Sequence, residues 1–168
     1  MTTRVLRTLC ATAVAFTATA VLTGTAQVRR QPPERDMVPT DVSLKVAGEP
    51  YSAKGQGSCT HAAQASIYDV RSEMWTVRHE EGDRSIQVTL WKPADGSPTM
   101  FTLASSGKKS LTISTVRGGQ VSGSGTVTLA PSAKGGTLTI DAKTKTGDAV
   151  TGTIKCDAFT PAIAEGGN

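Results

Sequence analysis

The 168-residue chain carries 19% charged and 38% hydrophobic residues, which excludes both a charged disordered chain and a bundle of membrane helices. Of its 18 basic residues, Arg4 and Arg7 lie near the N-terminus, and without these two the remaining 16 face 14 acidic ones. That balance is too even to predict a nucleic-acid partner, which needs a clustered basic face.

In chain order, the first element is a leader. Arg4 and Arg7 open it, Leu9 to Leu22 follow without charge, and Gly24-Thr25-Ala26 places small residues where a signal peptidase reads. This is the pattern of a secretory signal over residues 1–26. The apolar run is shorter than the roughly 20 residues of a spanning helix, so no membrane span is expected after cleavage. A retained signal anchor is the alternative, because Arg29 and Arg30 follow the cut and positive charge there resists translocation. Cys10 stands too early to be a lipid-attachment cysteine. Residues 27–40, with Pro32 and Pro33 and no apolar periodicity, read as an extended polar linker.

A β-domain is expected over residues 41–160, with residues 161–168 as a disordered tail. Aromatics make up only 4% of the chain, so the core must rest on aliphatic and Thr methyl groups, which suit strands. Period-two alternation recurs along the domain: Val42, Leu44 and Val46, then Ile86, Val88 and Leu90, then Leu111 and Ile113. Val127 and Leu129, then Leu138, Ile140 and Ala142, and finally Val150, Gly152, Ile154 and Cys156 continue it. Turn signals such as Gly48-Glu49-Pro50, Glu81-Gly82-Asp83, Asp95-Gly96-Ser97-Pro98 and Gly147-Asp148 separate these runs. The fold class predicted is all-β: an antiparallel β-sandwich or small barrel of about 8–9 short strands with one disulfide. The segment His61 to Val70 is ambiguous, and strand with loop is favoured there over a helical turn.

Cys59 and Cys156 are the two cysteines after the leader. In an oxidising compartment an even pair predicts a disulfide. The competing arrangement is a Cys₂His₂ zinc site built with His61 and His79, but no C-x-x-C or H-x₃-H spacing supports it. No metal and no cofactor is therefore expected.

Other motif fragments dissolve on inspection. Ser105-Ser106-Gly107-Lys108-Lys109-Ser110 lacks the first glycine and the following helix of a phosphate loop, and reads as a hairpin turn. Gly118, Gly119, Gly123 and Gly125 lack dinucleotide-loop spacing and read as a flexible loop. Glu80, Glu81 and Asp83 beside Arg78 and Arg84 read as a solvated charge cluster. Trp75 shares a face with Val77 and is assigned to the core. Trp91 falls opposite the Ile86–Val88–Leu90 face and precedes Lys92 and Pro93. Trp91 and Lys92 are thus the candidate ligand-binding residues, since an exposed tryptophan can stack on a sugar or anchor a protein. The alternative is a tryptophan folded over the rim of the fold.

Val42-Ser-Leu-Lys-Val46 with Gly48, Gly57-Ser58-Cys59, and Gly152-Thr-Ile-Lys-Cys156 together resemble the exported lipoprotein antigens of mycobacterial cell envelopes. The leader departs from that family in lacking a lipid-attachment cysteine at the cleavage site. The resemblance implies an envelope-associated binding or antigenic protein and no site residues. The expected function is a secreted or periplasmic, non-enzymatic binding or interaction module, with an inhibitor of a hydrolase as one form. An envelope or extracellular protein or a glycan is the expected partner. The alternative is a secreted hydrolase or metal-dependent enzyme whose site is assembled from separate loops. Convergence of His61, His79 and carboxylates in one pocket would favour it.

Overall fold

The computed structural model describes residues 37–164. The leader, the linker as far as residue 36 and residues 165–168 lie outside the described residues. The described chain is all-β. In order it forms β1 (Met37–Val46), β2 (Glu49–Ile67), β3 (Val70–Glu81), β4 (Arg84–Pro93) and β5 (Met100–Ser106). Then follow β6 (Leu111–Ser114), β7 (Gly123–Pro131), β8 (Gly136–Thr144), β9 (Ala149–Cys156) and the two-residue β10 (Thr160–Pro161).

Alternation accounts for most of these strands. Val42, Val88, Ile113, Leu138, Val150 and Ile154 are fully buried, and their polar neighbours in sequence mostly face out. The turns match the glycine signals, with positive φ at Gly48, Gly82, Gly96 and Gly147. The β2–β3 turn is different, because Tyr68 (φ 48°) and Asp69 (φ 63°) take left-handed conformations without a glycine. A bulky residue there is uncommon. Its ring lies over Gly118 and Gly119 of the β6–β7 loop, and a Cβ on Gly119 would stand 2.8 Å from the Tyr68 hydroxyl. Those glycines therefore make room for a docked ring.

Strands β1 to β9 form one antiparallel sheet in the order β6-β5-β4-β3-β2-β1-β9-β8-β7, curled into a nearly closed barrel. β10 adds in parallel to β2 at Thr60 and His61, just beyond Ser58, where the β1 ladder ends. The Cys59–Cys156 disulfide is present, with a Cα–Cα distance of 6.3 Å, inside the usual range. Both cysteines are core residues.

The ordered domain is wider than its expected limits. β1 begins at Met37, inside the segment read as linker, and Ala164 is buried beyond the expected end. Two strands are also longer than the short ones expected: β2 has 19 residues and β3 has 12. Their hairpin extends past the core because Ala62, Ala65 and Ala164, with Met74 and Ala162 against them, form a second small apolar cluster.

Candidate functional site

The strand register builds a cavity at one end of the barrel. On β3, Trp75 faces His61 of β2 on one side and Leu90 of β4 on the other. Two residues along the same face, Glu73 stands opposite Lys92. Across the opening lie Val127 and Leu129 of β7 and Phe159, just after β9. The cavity holds about 560 Å³, within the range of small-ligand sites, for which barrel mouths are a frequent place. Its floor is apolar: Trp75 is 8% exposed, Leu90 3% and Val127 1%. Its rim carries Glu73, Lys92, Thr99 and Lys134.

The disulfide fastens this end. Cys59 precedes His61 by two residues on β2, and Cys156 precedes Phe159 by three. The Phe159 N–H donates to the Lys134 carbonyl at 2.8 Å. The Thr160 hydroxyl donates to the Cys59 carbonyl at 3.2 Å. The bridge thus ties the strand carrying His61 to the segment that brings Phe159 and Lys134 to the mouth.

His61 lies flat on Trp75, with ring centroids 4.8 Å apart and planes within 4°. Its Nε2 is buried and has no hydrogen-bond partner among the described residues. Glu73 Oε2 stands 3.6 Å away, inside ion-pair range but too far for a hydrogen bond.

The other histidine lies toward the opposite end. His79 pairs in register with Gly57, four positions along β2 from His61, or about 13 Å at strand rise. It is 3% exposed, and its Nδ1 is 3.2 Å from the Tyr51 hydroxyl. The Arg84 guanidinium sits 4.2 Å above the Tyr51 ring and donates to the Pro50 carbonyl at 2.9 Å. Burial lowers the His79 pKa, and the charge of Glu81 opposes that shift. Burial likewise raises the Tyr51 pKa, against the nearby Arg84. Arg84 is therefore a packed lid on Tyr51, more than a member of a solvated cluster. Arg78 pairs with Glu80 at 2.6 Å.

The two residues singled out from sequence part company. Lys92 lines the mouth. Trp91 points to the outer surface, half-buried, between Met74 and Met100 in register. Glu73, Trp75, Lys134 and Phe159 join Lys92 without having been foreseen as site residues, and His61, weighed only for a zinc set or a catalytic cluster, joins them. Alternation could have placed His61 and Trp75 on inward faces, but only register puts them side by side. The Cys₂His₂ zinc set is not assembled, because both sulfurs are in the bridge and the histidines are apart. Of the histidine–carboxylate set, His61 and Glu73 share the mouth, while His79 lies apart from it. Ser105 and Ser106 end β5, and Gly107 to Ser110 form the turn that follows it, with Gly107 at φ 139°. No family model, curated protein or solved structure matches the chain.

Proposed function

We propose that the chain is an exported, non-enzymatic binding module of the cell envelope or extracellular space whose ligand seat is the open mouth beside Trp75. One observation carries the reading: a cavity of about 560 Å³ joins an apolar floor to a charged rim on a disulfide-fastened scaffold. Export rests on the leader pattern of residues 1–26 and gains support from a bridge of the kind that persists in oxidising compartments. Lys92 and Lys134 form no ion pair among the described residues. The favoured ligand therefore presents an apolar group to Trp75 and Leu90 and an anionic group to the lysines. His61 already covers one face of Trp75, which speaks against a sugar stacked there. The likeness to envelope antigens agrees with a binding role. A hydrolase needs a nucleophile within hydrogen-bond reach of its base; His61 Nε2 at the mouth has no hydrogen-bond partner among the described residues, and His79, which does meet the Tyr51 hydroxyl, is buried outside the mouth.

Anilinonaphthalene sulfonate, an apolar dye with an anionic group, tests the seat. Saturable one-to-one binding is expected, weakened about tenfold, or ~1.4 kcal/mol, by Trp75→Leu and several-fold by Lys92→Ala. Thermal melts of both variants control for folding. Unchanged dye affinity in both folded variants would overturn the reading. N-terminal sequencing of the mature protein tests export, with a start near Gln27 expected.

A further inference from the structure

We infer that the mouth takes an elongated amphiphile, with its apolar chain on Trp75 and Leu90 and a terminal oxyanion seated on a lip of the barrel between Arg71 and Lys92. The inference rests on the proposed ligand seat and names the class of its ligand and the place of the head group.

The lip follows from unequal strand lengths. β1 accompanies β2 only as far as Ser58, and β5 accompanies β4 only as far as Trp91. Beyond those points β3 keeps both neighbours, with Ile67 of β2 opposite Val70 and Pro93 of β4 opposite Ser72. These three strands therefore stand out past the mouth. Their inward phase can be followed residue by residue. On β3 it runs from Trp75 to Glu73 and Arg71, and on β4 from Leu90 to Lys92. It is apolar and buried at the mouth, then charged and exposed on the lip. The outward phase is already covered, since Ala62 and Ala65 pack with Ala164.

A hollow of about 290 Å³ lies on this lip. β2 bulges beside it: Ala62 stands opposite Met74 and Ala65 opposite Ser72, so Ala63 and Gln64 together face Glu73. A bulge bends its strand and sharpens the local twist, which curls the lip inward. Arg71, Glu73, Lys92 and Ala94 line the hollow with the two bulge residues. Met74, Trp91 and Ala164, which mark the outer face, do not line it. Glu73 and Lys92 also line the mouth, so the two spaces share a wall. The track from Trp75 to Arg71 covers four residues of β3, or about 13 Å at strand rise.

Chemistry changes along this track. The mouth offers Trp75, Leu90, Leu129 and Phe159, whereas the apolar residues lining the hollow are alanines and Pro93. The chain therefore belongs in the mouth and the polar group on the lip. Glu73 stands directly opposite Lys92 but makes its ion-pair contact with His61, at 3.6 Å. Arg71 and Lys92 form no ion pair among the described residues. Two cations are thus left to receive an anion. The guanidinium fork of Arg71 matches paired oxygens of a carboxylate or a phosphate, and Lys92 adds a point charge.

Titration calorimetry with decyl phosphate and decanoate, each below micelle formation, tests the inference beside decanol and inorganic phosphate. Both amphiphilic anions are expected to bind at least about tenfold tighter than decanol. Inorganic phosphate is expected to give no heat at the same concentrations, and each methylene removed from the chain to weaken binding about three- to fourfold. Arg71→Gln alters an exposed side chain and is expected to melt like the wild type. It should abolish the advantage of the anions over decanol and leave decanol unchanged, whereas Trp75→Leu should weaken all three. The tighter of decyl phosphate and decanoate identifies the source of the head group, a phosphate ester or a fatty acid. Equal binding of decanol and the anions, or an anion advantage that survives Arg71→Gln, would overturn the inference. If anilinonaphthalene sulfonate still binds in a Trp75-dependent way, the ligand seat stands and only the head-group site falls. If the dye result also fails, both fall.

Discussion

The two ends of the barrel solve the same problem in opposite ways. Each places a histidine and a large aromatic residue on inward faces. At the Tyr51 end the hydroxyl meets His79, Arg84 covers the ring, and only about 130 Å³ stays open beside them. At the Trp75 end His61 stacks on the indole, its Nε2 goes without a hydrogen bond, and a cavity stays open. The first end is held by packing and hydrogen bonds. The second is held by a covalent bridge, which keeps its walls together without filling the space between them. The difference teaches that stability and vacancy can coexist where a cross-link takes over what side chains do elsewhere.

Breaking the bridge should produce the largest effect. Its cysteines are 97 residues apart in sequence, and closing a loop of that size stabilises by up to about 4.7 kcal/mol in the chain-entropy account. Cys59→Ala, or reduction, is expected to lower the melting temperature by many degrees and to loosen the mouth before the Tyr51 end. Equal melts with and without reductant would remove the contrast. Next in size is Tyr51→Phe, which leaves His79 Nδ1 buried without its partner. A loss of about 1–3 kcal/mol is expected from urea unfolding. A neutral result would mean that this end is held by packing alone.

The smallest expected effect is the pH response of His79. Burial keeps its pKa below the ordinary 6.5, so the unfolded chain takes up a proton that the folded chain refuses. Stability is full above 6.5 and is lost as pH falls through the lowered folded value. The urea midpoint should therefore fall between pH 7 and pH 5, and His79→Gln should flatten that slope. A wild-type midpoint that does not change over this range would show that the site admits the proton without penalty.

How much of this was legible in the sequence depended on the distance over which the information lay. β1, β4, β8 and β9 are plain in alternation, because each one's own residues face one core. β2 is not plain. Gly55-Gln56-Gly57-Ser58 carries no apolar pattern, and the segment is a strand because β1 and β3 supply its hydrogen bonds. The bridge was legible from compartment and parity of cysteines. Lys92 was legible as a candidate and does line the mouth. Trp91 stood out for sharing a strand face with polar residues, yet the structure sets it between Met74 and Met100, neighbours that no local pattern reveals. The mouth itself joins β4 to β7, and no local pattern encodes how two distant strands face each other.

The sheet order has one further consequence, and it is a matter of counting. Along β6-β5-β4-β3-β2-β1-β9-β8-β7 every neighbouring pair is antiparallel. Nine alternating directions leave the first and last strands pointing the same way. Zipping β6 to β7 would require a parallel ladder, and residues 115–122 between them are fewer than the dozen or so that such a crossover takes. Among the described residues the seam between β6 and β7 is therefore closed by single bonds from Ser122 and by side chains, with no ladder across it.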